Sequence, residues 1–406
     1  MKGDRPRITL LGSNSGRNVG DAAILSAILD VFSKELPKAE FFVPSTHPKF
    51  TDENYGSKYA VKGVDVMPWT GSIRLLGIPT IRCLWKSDLA FICDGIIFGK
   101  KILNPLFNFL ITLVFIVPIA RLLRCKVVCY SCGIGPFPSK LSRIMARWVL
   151  NQCDLVIMRE NDSKKLAEEI GCSQPIQVTG DAAFLNPVSS RDRGREILKS
   201  NGIDPNAALL GINVTRYIDS WLDSHERVQD RSTFLKALAE GVKAAQSNCG
   251  FVPVVFSTQP MDEPTAQQLA SLLETKVIDN TRYLSHDMQA VMRECQLFMG
   301  MRFHSVVLAS AVETPIIGLI YAPKVRGFMR LLSCENLALE LAKLTPASLT
   351  AVLNEAWAQR TEIKHKQKIH IDELKDGALR AARMVSARYF EHPSRIEEAA
   401  KIAAAS

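Results

Sequence analysis

The sequence predicts an α/β protein made of two Rossmann-like domains, each built on a parallel sheet. Three observations carry this. Short apolar runs of strand length alternate with longer helical stretches, the pattern of parallel strands joined by right-handed crossovers. The alternation breaks in a polar, charged stretch over residues 189–199 and restarts near Ala208. The chain has 406 residues, more than one ordinary hydrophobic core organises. The expected division is an N-terminal domain over 1–190, a C-terminal domain over 205–345 and a helical tail over 346–406 packing back on the domains.

Residues 7–11 read as the first strand. A glycine-rich turn follows, from Gly12 to Gly20, and then a helix over 21–35. The glycines lack the G-x-G-x-x-G spacing and no acidic residue ends the second strand, which argues against a dinucleotide. Asn18 and Asp21 either cap this helix or face a sugar. Strands are expected at 41–43 and 89–93, the latter ending in Asp94-Gly95. Residues 102–120 are nineteen in a row without a charge, flanked by Lys100-Lys101 and Arg121. They are long enough to span a membrane. However, the strands on either side belong in one sheet, so a mostly buried crossover helix is expected, with a face dipping into the membrane as the alternative. Next come a strand at 126–130, a basic helix over 139–150 carrying Lys140, Arg143 and Arg147, and a strand at 154–158. A helix then runs to about 171 and a strand covers 176–178. Arg159, at a strand end, is expected to pair at the surface with Glu160, the alternative being that it faces the cleft.

The second half places strands at 208–214, 252–257, 276–278, 296–299 and 316–320, with helices at 232–246, 262–273 and 284–294. Residues 346–390 read as helical. The most informative stretch is 300–324. Gly300 lets the chain turn, and Arg302, Phe303 and His304 open a helix of small and branched residues. Thr314-Pro315 ends it. Tyr321-Ala322-Pro323-Lys324 is expected to be the loop after the next strand. Arg302, His304 and Lys324 thus lie just beyond the carboxyl ends of two neighbouring strands, where open α/β sheets bind ligands. A helix start on the same rim adds free N–H groups and a positive dipole end. Together they suit a small, multiply charged anion.

The net charge of +9 suits an acidic partner. No basic tract interleaved with aromatics is present, which disfavours nucleic acid. The N-terminus lacks the apolar core of a signal peptide. Ten scattered cysteines, several in apolar runs, read as reduced and buried, and Cys129-x-x-Cys132 as structural. No His, Cys or carboxylate spacing suggests a metal.

Four segments resemble the polysaccharide pyruvyl transferase family: Asn18-Val19-Gly20-Asp21-Ala22-Ala23-Ile24-Leu25, Gly133-Ile134-Gly135-Pro136, Gly180-Asp181-Ala182-Ala183-Phe184, and Arg302-Phe303-His304 with the following helix and Pro315 to Lys324. They occur in the family's order. The resemblance implies a fold like glycosyltransferase B, with the two domains facing a cleft. It implies transfer of a pyruvyl group from phosphoenolpyruvate to a saccharide, as a cyclic ketal, without an organic cofactor. On this reading Arg302, Lys324, Ser305 and Tyr321 bind the donor, and His304 with Arg302 is catalytic. His304 is acid, base or phosphate ligand. Asn18, Gly20, Asp21 and Asp94 bind the acceptor. At Asp94 the family has a glycine cluster, so Asp94 is either an altered acceptor contact or a turn residue. The acceptor is expected to be lipid-linked, with peripheral contact to the cytoplasmic face of a membrane; a nucleotide-linked sugar is the alternative. Two other functions fit the same fold: a nucleotide-sugar glycosyltransferase, and a non-catalytic carbohydrate-binding scaffold of an export assembly.

Overall fold

The computed structural model describes residues 5–216, 218 and 230–390. The chain packs as two compact units. Among the described residues, the first takes in those through Gly16, Ile24–Leu185 and those from Leu374; the second comprises Arg17–Ala23 and those within Asn186–Glu373. Two details differ from the expected division. Arg17–Ala23 groups with the second unit. The polar stretch near 190–200, expected at the domain boundary, is a helix of that unit, capped by Ser190, whose side chain accepts the Arg193 N–H.

In the first unit the strands are β1 (Arg7–Leu11), β2 (Glu40–Ser45), β3 (Val61–Asp65), a small hairpin of β4 (Ser72–Ile73) and β5 (Leu76–Gly77), β6 (Leu89–Ile92), β7 (Lys126–Cys132), β8 (Leu155–Met158) and β9 (Ile176–Val178). Among the described residues the main sheet runs β3-β2-β1-β6-β7-β8-β9, and its strands pair in parallel. The helices are α1 (Val19–Glu35), α2 (Pro48–Tyr55), α3 (Ile78–Lys86), α4 (Leu110–Leu122), α5 (Lys140–Gln152) and α6 (Asn161–Glu169). Strand order reverses between β1 and β6, so the loop at Gly12 and the loop at Asp94 meet at this sheet's switch point.

The uncharged stretch 102–120 is helical only from Leu110, because Asn108 ends a run of turns there. Its side-chain amide donates to the carbonyls of Phe98 and Lys100, and its oxygen accepts the Leu110 N–H. No helix of the described residues is long and apolar enough to cross a membrane. Arg159 is also not at the surface. It is buried between Glu160 and Asp181, 3.1 Å from the latter. Gly133 makes room for it, since a Cβ there would lie 2.3 Å from the guanidinium. Burial pulls the Arg159 pKa down, but the two carboxylates outweigh it and the net shift is upward. Gly133 and Asp181, in two of the motif segments, thus serve a buried ion pair, whereas Gly180 has a positive φ (145°) and packs its Cα against the Leu374 carbonyl. All ten cysteines are free. Burial pushes the Cys83 thiol up to about 11, so it carries little thiolate near neutral pH.

In the second unit the strands are β10 (Leu209–Asn213), β11 (Val252–Ser257), β12 (Val277–Asp279), β13 (Cys295–Gly300), β14 (Ile316–Ile320) and β15 (Ala338–Glu340). Among the described residues they form a parallel sheet of order β12-β11-β10-β13-β14-β15. Its helices are α7 (Arg191–Ser200), α8 (Arg231–Cys249), α9 (Glu263–Leu273), α10 (Ser285–Met292), α11 (Phe303–Ala311), α12 (Pro323–Leu331) and α13 (Pro346–Ala358). The last helix, α14 (Arg360–Phe390), begins in this unit, where Gln367 accepts the Ile316 N–H at 3.2 Å, and its residues from Leu374 belong to the first. The switch point of this sheet lies between β10 and β13.

Candidate functional site

Arg302 sits at that switch point, directly after β13. Its backbone N–H donates to the side-chain oxygen of Asn213 (3.0 Å), and the Asn213 amide donates to the Phe256 carbonyl (2.9 Å). One buried asparagine thus ties the ends of β10 and β11 to the start of α11. Gly300 is required here, because a Cβ would lie 2.5 Å from Val306 and 2.7 Å from Ser305 Oγ. The Ser305 hydroxyl donates to the Arg302 carbonyl at 2.7 Å, tightening the first turn.

The Arg302 guanidinium is oriented by Asp262, which is fully buried. Arg302 Nε donates to one carboxylate oxygen and Nη2 donates to the other at 2.9 Å. Asp262 also accepts from the Thr215 hydroxyl (3.1 Å) and the Arg216 N–H (2.9 Å). Burial would lower the Arg302 pKa. The hydrogen bond and charge of Asp262, with smaller contributions from Tyr321 and Asp21, outweigh it, and the shift is upward. Arg302 is therefore a fixed cation over the whole working pH range.

Lys324 is not in a loop. Pro323 opens α12, and Lys324 lies in its first turn, exposed. Its ammonium stands 5.7 Å from the Phe303 ring centroid and 5.9 Å from that of Tyr321, within reach of both ring faces.

The N-terminal turn, expected on the other domain, joins this site. The Val19 N–H donates to the Thr258 carbonyl (3.0 Å), and the Asn280 amide donates to the Arg17 carbonyl (3.0 Å). The Asn18 side chain accepts the Gly20 N–H at 2.9 Å, capping α1. Gly20 lies against the imidazole of His304, where an added Cβ would be 2.0 Å from Nδ1. On its other side His304 meets the Phe303 ring edge-to-face at 5.1 Å.

Asn18, Val19 and Gly20, Thr258, Arg302 to Ser305, Leu308, Tyr321 and Lys324 line one small, solvent-open pocket. The start of α1 and the start of α11 both open on it. The structure thus brings together Asn18, Gly20, Arg302, His304, Ser305, Tyr321 and Lys324. Asp21 is close enough to act on the Arg302 charge. Asp94 lies in the first unit, buried, with left-handed backbone (φ 59°) and its carboxylate accepting the Ser13 N–H at 2.9 Å. That geometry favours the turn reading of Asp94.

Asp262 and Asn213 are the residues that sequence reasoning missed. A signal existed for Asp262: an acidic residue a few positions past a strand's carboxyl end. Asp262→Ala is expected to leave the buried guanidinium without its carboxylate and to cost about 3–5 kcal/mol, the scale for breaking a buried pair. Thermal unfolding measures this. A loss below about 1 kcal/mol would show that Asp262 does not hold Arg302.

The fold, two units on parallel sheets with ligand-edge loops at each switch point, is that of the glycosyltransferase B-like proteins. It is similar to UDP-GlcNAc 2-epimerase from Neisseria meningitidis (13% identity, TM-score 0.55, 93% of this chain and 98% of that one). It is also similar to a UDP-glucosyltransferase from Polygonum tinctorium (11% identity, TM-score 0.59, 97% and 100%). Within this class the sequence is specific. The family model for polysaccharide pyruvyl transferase matches residues 18–323, and the chain belongs to that family. A curated relative is the amylovoran biosynthesis protein AmsJ of Erwinia amylovora, 22% identical over 399 residues, covering 89% of this chain and 94% of that protein.

Proposed function

We infer that the protein transfers a pyruvyl group from phosphoenolpyruvate to a saccharide in the biosynthesis of an exopolysaccharide. The family points to the reaction class, and the relative AmsJ, a biosynthesis protein of amylovoran, points to the setting. The observation that carries the donor assignment is the pocket at the second sheet's switch point. There Arg302, Lys324 and two helix starts converge around a space suited to a small dianion or trianion.

The chemistry needs three events. A proton adds to the methylene carbon of the donor, making its central carbon electrophilic. One sugar hydroxyl oxygen bonds to that carbon and the phosphate leaves. A second hydroxyl then bonds to the same carbon and closes the ketal. Of the two hydroxyl protons, one balances the proton taken up by carbon and the other leaves with phosphate. Lys324 and Arg302 hold the donor's anionic groups, and His304 is the proton-carrying group beside them. Asn18 and Gly20 line the same pocket, with Asp21 next to them in the first turn of α1, where the acceptor hydroxyls would arrive.

The reading is tested by incubating the protein with phosphoenolpyruvate and a panel of lipid-linked and nucleotide-linked saccharides and following phosphate release. Release only with a saccharide present is expected; none with any acceptor would overturn the reading. A second reading, nucleotide-sugar glycosyl transfer, is favoured by the nucleotide-sugar enzymes among the structural relatives. Thermal protection separates the two. Phosphoenolpyruvate is expected to raise the melting temperature, and a nucleotide sugar doing so instead would favour the second.

A further inference from the structure

Helices α3, α4 and α5 lie side by side on one face of the first sheet. The connections β3 to β6, β6 to β7 and β7 to β8 all run the same way across it, and right-handed crossovers then put their helices on one side. Their inner faces close a single apolar core containing Leu84, Leu113 and Val149. A helix on a protein surface ordinarily turns a polar face outward. These do not. On α5, Leu141, Ile144 and Trp148 are exposed at positions i, i+3 and i+7, opposite the buried Ala146 and Val149. On α4, Phe115 is 54% and Leu122 82% exposed, and on α3 Trp85 is 65% exposed. The Trp148 indole N–H donates to the Val114 carbonyl (3.2 Å), so the α5 stripe continues onto α4. Of the fourteen large apolar side chains exposed among the described residues, eleven fall between residues 69 and 148. Exposed apolar side chains gathered on adjacent helices in this way mark an interaction surface.

The charge is gathered in the same place. From residue 69 to 152 the sequence has eleven Lys and Arg, two Asp and no Glu, a net +9. The whole chain is also +9, so everything outside this segment is neutral in sum. Of the two aspartates, Asp94 is buried and Asp88 accepts the Arg7 N–H at 3.0 Å. Lys86, Arg121, Lys140, Arg143 and Arg147 are exposed among the apolar side chains.

We propose that the outer face of α3, α4 and α5 docks on an anionic lipid surface, with the apolar side chains entering the headgroup region and the basic residues engaging lipid phosphates. Trp and Leu flanked by Lys and Arg are the composition of interfacial membrane contacts. An exposed aliphatic stripe has no counterpart on a nucleic acid backbone. The contact is peripheral, since no helix of the described residues is long and apolar enough to cross. The proposal is independent of the reaction assigned to the pocket in the second unit.

Vesicle flotation with the full chain tests it, using phosphatidylcholine with and without phosphatidylglycerol. Binding is expected to the anionic vesicles at low salt and to weaken at high salt, since each basic residue near such a surface contributes roughly fivefold. Phe115→Ser with Leu122→Ser is expected to weaken binding at least tenfold, as is Arg143→Glu with Arg147→Glu. His304→Ala is expected to bind as wild type does, which keeps this result separate from any outcome for the reaction. Three results would overturn the proposal: no flotation at low salt, flotation that neither double variant weakens, or an apolar double variant that converts a sedimenting dimer to monomer, which would mean that a second copy covers the face.

Discussion

His304→Ala is expected to lower turnover by at least about 100-fold while phosphoenolpyruvate binding falls far less. General acid–base groups contribute roughly 10²–10⁴ to rate, and the change removes the pocket's one imidazole while leaving Arg302 and Lys324 in place. The ring's position supports a role in proton transfer. It lies in the first turn of α11 against the Gly20 backbone and the Phe303 ring, and lines the same pocket as the two cations. His304→Gln and His304→Asn refine the result. An amide offers a hydrogen bond to phosphate but carries no proton at useful pH. If His304 were chiefly a phosphate ligand, one amide variant would restore much of the rate. If it carries a proton, both amides retain donor affinity in titration calorimetry and both remain slow. An alanine variant with most of its turnover intact would show that the imidazole serves packing.

Much of the fold is legible because its strands are short, apolar and bounded by polar residues. β1, β9, β11 and β14 have the bounds read from the sequence. The rim residues Arg302 and His304 are legible for the same reason: they follow a run that is unmistakably a buried strand. What escapes is set by longer-range effects. Lys324 reads as loop because Pro323 looks like a terminator, yet proline is equally suited to the first turn of a helix and here it opens one. Residues 102–109 read as helix because they lack charge, while the side chain of Asn108 instead satisfies a set of turns. The placing of Arg17–Ala23 rests on a hydrogen bond between residues 19 and 258, and no local pattern encodes that. Asp262 is hidden similarly. Alone it reads as the start of α9, and only the folded chain shows it forty positions away from the arginine it orients.

Gly20→Ala is expected to separate these levels of description, because the local and the tertiary effects have opposite signs. Gly20 lies in the first turn of α1, where alanine is the better helix former by up to about 1 kcal/mol. By propensity alone the variant would be stabilised. In the folded protein the new Cβ would sit 2.0 Å from His304 Nδ1, 2.2 Å from Cγ and 2.4 Å from Cβ, closer than non-bonded atoms approach. Either the imidazole is driven away from Gly20 or the start of α1 lifts from Thr258, giving up the Val19 N–H bond. Overpacking of this kind costs typically 1–3 kcal/mol, which outweighs the propensity gain, so a net loss of stability is expected by thermal unfolding. The effect on rate is larger, since a displacement of about 1 Å at a reacting group costs on the order of 100-fold. Gly20→Ala is therefore expected to remain folded and to lose turnover about as severely as His304→Ala. The two changes combined are expected to be little worse than either alone, because both act through the position of one ring. Losses that multiplied in the double variant would show that Gly20 acts on the pocket by a route other than His304.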